Sequence, residues 1–369
     1  MTDSTVRIQG AGPVGLLTAL FLLKFGWDKD SIELIDPAIH SPEPSFRNDP
    51  RVLALSHGTL IRLSQLGIDP QATRIKEIRV SSEGHFGSMQ INTDRVGVSD
   101  LGGLAHYSAL LGQLRETVNA VGLRIQPQST AAADVVVIAE GGIYSAAVSD
   151  GNLSANANSD SFGETNNAME LVRDYGQQAL LGWVTTTPPP GDTAWERFTA
   201  DGVVALLPLG GRYALIWCCN PQRAEAFTNA SQVSRAQLLD EVMGGRISGV
   251  NAIELTGTYP LGLKWRETVA QGHTVWIGNS AQTLHPIAGQ GLNLGFRDAQ
   301  TLASCLVQRG LTITERLADY ARRRRVDRWA VRTATDTLAR QAWVRRAIGG
   351  VALVPGAKRL LGQVLMYGG

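Results

Sequence analysis

The segment Val6-Arg7-Ile8-Gln9-Gly10-Ala11-Gly12-Pro13-Val14-Gly15 sets the architecture of the chain. Its first four residues read as a short buried strand, and a GxGxxG pattern follows at once. Gly10 permits the turn out of the strand, Gly12 lets the backbone approach a pyrophosphate, and Gly15 allows close helix–strand packing. Pro13 and Val14 belong to the same turn, at the start of an apolar helix that runs to about Phe25 and is ended by Gly26. The N-terminus of such a helix presents free N–H groups and the positive end of its dipole to phosphate. Residues 31–36 read as a second strand, and Asp36, 21 residues after Gly15, suits the hydroxyls of a ribose. Strand, glycine turn, helix and acid together predict a Rossmann-type α/β domain that binds a dinucleotide. The pattern by itself leaves NAD and FAD open.

Further along, residues 37–50 read as proline-rich loop. Residues 51–66 carry helical apolar spacing (Leu53, Leu60, Leu63, Leu66), stopped by Gly67. Another helix is predicted over 110–121 and a β-branched strand over 134–139. Between Ser149 and Asn167, 13 of 19 residues are Ser, Asn, Asp or Gly, too few apolar groups to order the segment, which predicts a loop or linker. The texture then becomes strand-like at 179–187, 195–199, 203–207, 213–219 and 253–259, with Gly210-Gly211 as a hairpin turn and one helix at about 231–243. A strand at 274–277 and a long helix at about 292–308 return to the first texture.

Between that last strand and helix lies Gly278-Asn279-Ser280-Ala281-Gln282-Thr283-Leu284-His285-Pro286-Ile287-Ala288-Gly289-Gln290-Gly291-Leu292-Asn293. It resembles the flavin-ribityl motif of class A FAD-dependent aromatic hydroxylases, GDxAHxxxPxxGxGxN, and looks most like their ubiquinone-biosynthesis branch. Asn279 stands in the place of the Asp and Gln282 in that of the His. Further resemblance lies in Arg51-Val52-Leu53-Ala54-Leu55-Ser56, in 78–87, in Asp174-Tyr175-Gly176-Gln177, and in Arg197-Phe198 through Leu207-Pro208-Leu209. It extends to about Asp327.

The resemblance implies FAD as cofactor, with Pro286 beside the isoalloxazine ring and Gly289, Gln290 and Gly291 in the catalytic loop. Backbone N–H groups from Gly289 through Leu292 to Asn293, at a helix start, would stabilise negative charge on the flavin edge. Gly278 belongs to the same cofactor loop, and Asn279 would offer a carbonyl oxygen to a ribityl hydroxyl. Arg51 is assigned to the pyrophosphate region and Gln113 to the FAD cleft. NAD(P)H would reduce the flavin, O2 would add at C4a, and the hydroperoxide would pass its distal oxygen to a phenolic, polyprenylated precursor of ubiquinone.

The chain departs from the family in one place. The mid-chain GADGxxSxvR motif is represented by Ala139-Glu140-Gly141-Gly142-Ile143-Tyr144-Ser145, with Glu for Asp, one residue inserted and no final Arg. The stretch 123–134 is also too short for the hairpins that normally precede it. FAD binding should survive this; reduction by NAD(P)H is where it would tell. The alternative it raises is a non-catalytic FAD-binding scaffold in a multi-enzyme complex.

Composition limits the remaining readings. At 369 residues, 44% hydrophobic and 18% charged, the chain can build a sizeable core. Three cysteines, two of them adjacent, give no disulfide framework and no CxxC metal site, and the six histidines lack metal spacing, so no metal is expected. Neither a signal peptide nor a membrane span is evident, which fits a cytoplasmic protein. Without a recognition motif or a domain-wide basic face, nucleic acid is not an expected partner. The net charge of +1 conceals a split: from Glu315 onward there are 12 Lys/Arg against 4 Asp/Glu, and before it 22 against 29. With an apolar stripe at Leu360, Leu361, Val364 and Leu365, this basic tail suits contact with an anionic membrane face. The domain plan expected is an FAD-binding domain over 1–166 and 263–314, a β-rich substrate lobe over 167–262, and a basic helical tail over 315–369.

Overall fold

The computed structural model describes residues 4–40, 49–84, 88–129, 131–141, 160–165 and 168–340. At the centre of its parallel sheet lies β1 (Val6–Gln9), between β2 (Ile32–Ile35) and β9 (Val135–Ile138). β8 (Ile125–Gln126) extends the sheet beyond β2, and β17 (Thr274–Trp276) extends it beyond β9, with β16 (Ala270–Gln271) antiparallel at that edge. Parallel strands are covered on both faces, so they read as unbroken apolar runs. Val6, Ile8, Val135 and Val137 are fully buried. α1 (Pro13–Lys24) is apolar around its whole girth and is buried between layers, packing on α4 (Tyr107–Ala120) and α7 (Gln290–Leu306).

The second sheet is built of nine strands. Its order is β18 (Gln282–Thr283), β15 (Val250–Arg266), β11 (Ala168–Thr186), β14 (Arg212–Cys219), β13 (Val203–Leu209), β12 (Thr193–Phe198), β5 (Glu77–Ser82) and β6 (Ser88–Asn92), with β10 (Asp160–Thr165) also on β11. Pairing is antiparallel except between β12 and β5. β13 and β14 form the expected hairpin, with Gly210 and Gly211 both at positive φ as a two-residue turn requires. α5 (Pro221–Asn229) and α6 (Gln232–Met243) cover one face over Leu206, Leu215 and Trp217. Ser231 caps α6 and the left-handed Gly244 ends it.

Two expectations are corrected. Residues 51–66 are not one helix: β3 (Val52–Ser56) pairs with β7 (Gly102–His106), with β4 (Thr73–Ile75) on the other edge of β7. Helix α2 (His57–Ser64) starts only after Ser56, whose hydroxyl accepts from Thr59 N–H. Leu60 and Leu63 follow the helical period, whereas 53 and 55 follow the alternation of a strand. In the polar stretch 149–167, residues 160–165 are β10, since an edge strand needs only backbone partners; 149–159 and 166–167 lie outside the described residues.

Residues 77–92 contribute β5 and β6 to the second sheet, ahead of a single turn, α3 (Thr93–Val96). The last described element, α8 (Ile313–Arg340), bridges the layers: Leu317 and Tyr320 join the core around α1, and Val331 and Ala339 the core under the second sheet. The stripe at 360–365 lies outside the described residues, and no described helix is long and apolar enough to cross a membrane.

Candidate active site

The turn after β1 is tight because nothing larger than glycine fits. A Cβ on Gly10, whose φ is +103°, would lie 2.6 Å from the Ala139 carbonyl oxygen, and one on Gly15 would lie 2.0 Å from that of Gly10. Over Gly12 the space is open, with no atom within 4 Å of a Cβ. Asp36 locks this turn, accepting from Ala11 N–H at 3.1 Å through one oxygen and from Ala38 N–H at 3.0 Å through the other. Pro13 opens α1, where a missing N–H costs nothing.

The second glycine segment folds back onto the first. Gly278 sits at φ +57°, and its Cα and that of Gly295 on α7 are so near Val14 that added Cβ atoms would lie 3.2 and 2.8 Å from the valine methyls. Two turns about 260 residues apart in sequence thus share one groove. Asn279 is exposed at its edge, and Ser280 donates to the carbonyl of Glu140 at 2.5 Å, so the altered mid-chain motif borders the same groove; residues 142–145 of that motif lie outside the described residues.

Gly289 is the N-cap of α7, left-handed at φ +59°, with Ala54 so close that a Cβ would lie 2.7 Å from its methyl. Asn293 ties α7 to β3: its oxygen accepts from Ser56 N–H (2.9 Å) and Thr59 Oγ1 (2.7 Å), and its nitrogen donates to the Ala54 (2.9 Å) and Gly289 (2.7 Å) carbonyls. Its side chain is therefore spent within the protein, leaving the backbone of the helix start for a ligand. Beside it Gly291 faces open space and Leu292 is half-buried.

Arg51 immediately precedes β3, and Gln113 lies on α4. The Arg51 guanidinium pairs with Asp49 at 2.6 Å and lies 4.2 Å from the Tyr107 ring centroid. The bond to Asp49 raises its pKa, against a smaller opposing effect of burial. Gln113 has a buried side-chain oxygen with no hydrogen-bond partner among the described residues. That orphaned acceptor, the open spaces over Gly12 and Gly291 and two uncapped helix starts fit a bound dinucleotide.

Sequence reasoning missed what holds the second turn from behind. Asp298 accepts from Gly278 N–H (3.2 Å) and Gln282 (2.7 Å) through one oxygen and from Arg324 (2.7 Å) through the other. Arg328 donates to Gln282 at 2.6 Å, while Asp327 receives Arg297 at 2.8 Å and Arg324 at 2.5 Å. All of these side chains are buried. Burial by itself would lower the pKa of Arg324, but Asp298 and Asp327 outweigh it and raise it. Burial would likewise raise the Asp327 carboxyl, and Arg324 and Arg297 overcome that and hold it below the usual range. Part of the basic excess after residue 315 is therefore interior.

In front of the turn lies a cavity. Pro286, Gly289 and Gln290 close one side, and the uncovered face of the second sheet closes the other, with Ile78, Val80, Ala205, Leu207 and Ile216. Its wall is mostly apolar. Of the residues expected in the catalytic loop, Pro286, Gly289 and Gln290 meet the cavity, and Gly291, between the lining residues Gln290 and Asn293, does not. His285 is no free base: it accepts from Ile287 N–H at 3.3 Å and donates to Gln177 at 3.0 Å. Among the described residues no cluster of His, Cys, Asp and Glu could hold a metal ion.

Residues 177–335 match the family described as FAD binding domain. The chain is 34% identical over 134 residues to the 3-demethoxyubiquinol 3-hydroxylase of Escherichia coli, a match covering 36% of this chain and 34% of that protein. It is 28% identical over 174 residues to the mitochondrial ubiquinone biosynthesis monooxygenase of Caenorhabditis elegans, covering 36% and 38%. The matches thus span little more than a third of either relative's own length. In three dimensions it superposes on a probable FAD-dependent monooxygenase, pqsL of Pseudomonas aeruginosa, with a TM-score of 0.69 at 16% identity over 93% of this chain and 98% of that one. Over these stretches the chain is similar in sequence to ubiquinone-biosynthesis hydroxylases, and it shares the fold of the FAD-dependent monooxygenases.

Proposed function

We propose that this chain is a FAD-dependent monooxygenase that hydroxylates a phenolic, polyprenylated precursor of ubiquinone with NAD(P)H and O2. The observation that carries the reading is the apolar cavity ending on Pro286, Gly289 and Gln290, beside a groove shaped for a dinucleotide. In this reading Gly10, Gly12, Pro13, Val14 and Gly15 receive the pyrophosphate, Asp36 the ribose, and Arg51 and Gln113 the flank of the cofactor. Gly278, Asn279, Gly291, Leu292 and Asn293 hold the flavin end. Bound FAD, reduced by NAD(P)H, supplies the electrons that activate O2 and the site of oxygen transfer. The chain's own part is to bind and orient both rings, to exclude water from the cavity, and to meet negative charge with the start of α7.

Purified protein should show flavin absorbance, or acquire it with added FAD, and should oxidise NAD(P)H with stoichiometric hydroxylation of an alkylphenol. Absence of FAD uptake sinks the reading. A second reading is favoured by Glu140, which stands in place of Asp beside Ser280: a FAD-binding scaffold of a biosynthetic complex. Bound FAD that NAD(P)H never reduces would favour it.

A lipid-borne substrate accords with peripheral membrane contact at the cytoplasmic face. On α8, Val326 and Trp329 are 70% and 60% exposed, next to the exposed Arg322 and Arg325. Each basic residue near an anionic surface contributes about 1 kcal/mol. W329S, and truncation after Arg340, should each weaken flotation with phosphatidylglycerol vesicles, as should high salt. Unchanged flotation would leave the patch an ordinary surface.

A further inference from the structure

Strand β11 carries a bulge between Asp174 and Gln177. Asp174 pairs with Gly262 of β15 and Gln177 with the adjacent Leu261, so Tyr175 and Gly176 stand outside the register. Gly176, at φ +61°, makes the kink, and its N–H donates to Asp174 Oδ1 at 2.8 Å. The bulge sets two side chains against the buried ring of His285. Tyr175 meets that ring edge-on, with centroids 5.2 Å apart, and its hydroxyl donates to Asp336 of α8 at 3.1 Å. Burial, then the charge of Asp336, raises the pKa of this phenol, which therefore stays a donor. Gln177 bonds to His285 Nε2 at 3.0 Å.

These bonds admit one tautomer. Gln177 Nε2 donates to the Asp201 carbonyl at 2.9 Å, and a carbonyl oxygen only accepts, so the Gln177 oxygen is the atom turned to His285. His285 must then carry its proton on Nε2. Its Nδ1 is left as an acceptor, and Ile287 N–H donates to it at 3.3 Å. Ile287 lines the cavity together with Pro286 and Gly289, so the imidazole grips the cavity turn by its backbone. We infer that Gln177 is a positioning residue for hydroxylation: by fixing His285 as the Nε2–H tautomer, it holds the Pro286–Gly289 turn in place between cofactor and substrate. The inference rests on the hydroxylase reading and adds the device that keeps the turn still. A turn that shifts admits water and misplaces the ring. NAD(P)H, a proton and O2 then yield NAD(P)+ and hydrogen peroxide, where the coupled reaction puts one oxygen atom on the ring and releases the other as water.

The test joins a spectrum to a product ratio. In FAD-loaded protein with heavy-nitrogen histidine, long-range nitrogen–proton correlations should show His285 as the neutral Nε2–H tautomer, its signals identified by their loss in H285N. Q177M keeps the length of the side chain and removes the oxygen, and it should alter that signature. With 2-hexylphenol, its ratio of hydroxylated product to peroxide should fall about tenfold, the scale of one lost hydrogen bond, with KM within about twofold of the parent. Q177E restores an acceptor and should recover both readouts. A parent with its proton on Nδ1, or a Q177M that couples like the parent, overturns the inference. If Q177M loads no FAD, H285N decides: it keeps an acceptor for Ile287 N–H and should couple better than H285A, and equal coupling overturns the inference. The two failures are distinguishable. Protein that binds FAD and never hydroxylates fails the hydroxylase reading, while the histidine spectra still decide the tautomer.

Discussion

Gln282 donates its side-chain N–H to Asp298 at 2.7 Å, and through that bond the second glycine turn is fastened to the helix it introduces. Its carbonyl oxygen receives Arg328 at 2.6 Å, so the amide is a neutral link between a buried anion and a buried cation. An amide has both a donor and an acceptor to offer, as this position requires. Q282L should leave an arginine N–H and part of a carboxylate without their partner and cost about 2–3 kcal/mol, read from urea unfolding. A cost within experimental error would mean that the link contributes nothing.

Asp327 should matter more, because two arginines converge on it. D327N leaves Arg297 and Arg324 competing for Asp298 and should cost about 3–5 kcal/mol. The acid limb of stability gives an independent check. A carboxyl whose folded pKa is depressed stabilises fully above its unfolded value of about 4, and that contribution is lost as pH falls through the folded value. The parent should therefore lose stability more steeply than D327N below pH ~4.

Gly12 and Gly15 should separate cofactor binding from folding. A Cβ on Gly15 meets the backbone oxygen of Gly10 at 2.0 Å and must displace α1, whereas one on Gly12 meets nothing within 4 Å among the described residues. G15A should lower stability by about 1–3 kcal/mol, as overpacking does. G12A should fold like the parent and bind FAD more weakly, as a melting curve and a flavin titration would show. Equal melting of both variants would contradict the geometry.

The three thiols should be silent in the native state. Burial, then Asp201, pushes Cys219 up to about 12, and burial pushes Cys305 up to about 11. Cys218 is raised by burial, then by Cys219 and Glu196. Since the thiolate is the reactive form, an aromatic disulfide reagent at pH 8 should modify none of the three until denaturant is added. Rapid native labelling would show that one of them is accessible and ionised.

What the sequence revealed was local. The first glycine turn could be read because Gly10 and Gly15 answer contacts within a few residues or with an adjacent strand, and Gly12 leaves the space that a ligand needs. The hairpin at Gly210-Gly211 carried its own turn signal. The strand at 52–56 was hidden by the leucine spacing of the helix after it, although Ser56, three residues before Thr59, was a visible cap. The ionic cluster behind the second turn could not be foreseen, since Arg324 and Asp298 meet across 26 residues and Arg328 and Gln282 across 46. In sequence those arginines merge with the exposed Arg322 and Arg325.

The clamp of Arg324 and Arg328 on the second turn has a consequence for how the chain comes into being. During synthesis the first glycine turn leaves the ribosome early, while the groove it shares with Gly278 waits for α8 and its arginines, some 300 residues later. The nascent chain must therefore pass most of its translation with half a nucleotide groove and an uncovered face on α1. Contacts so distant in sequence are slow to form and leave apolar surface open meanwhile. Capture of the nucleotide then belongs to the final stage of maturation, and a ribosome stalled before Arg324 should hold a chain that cannot retain it.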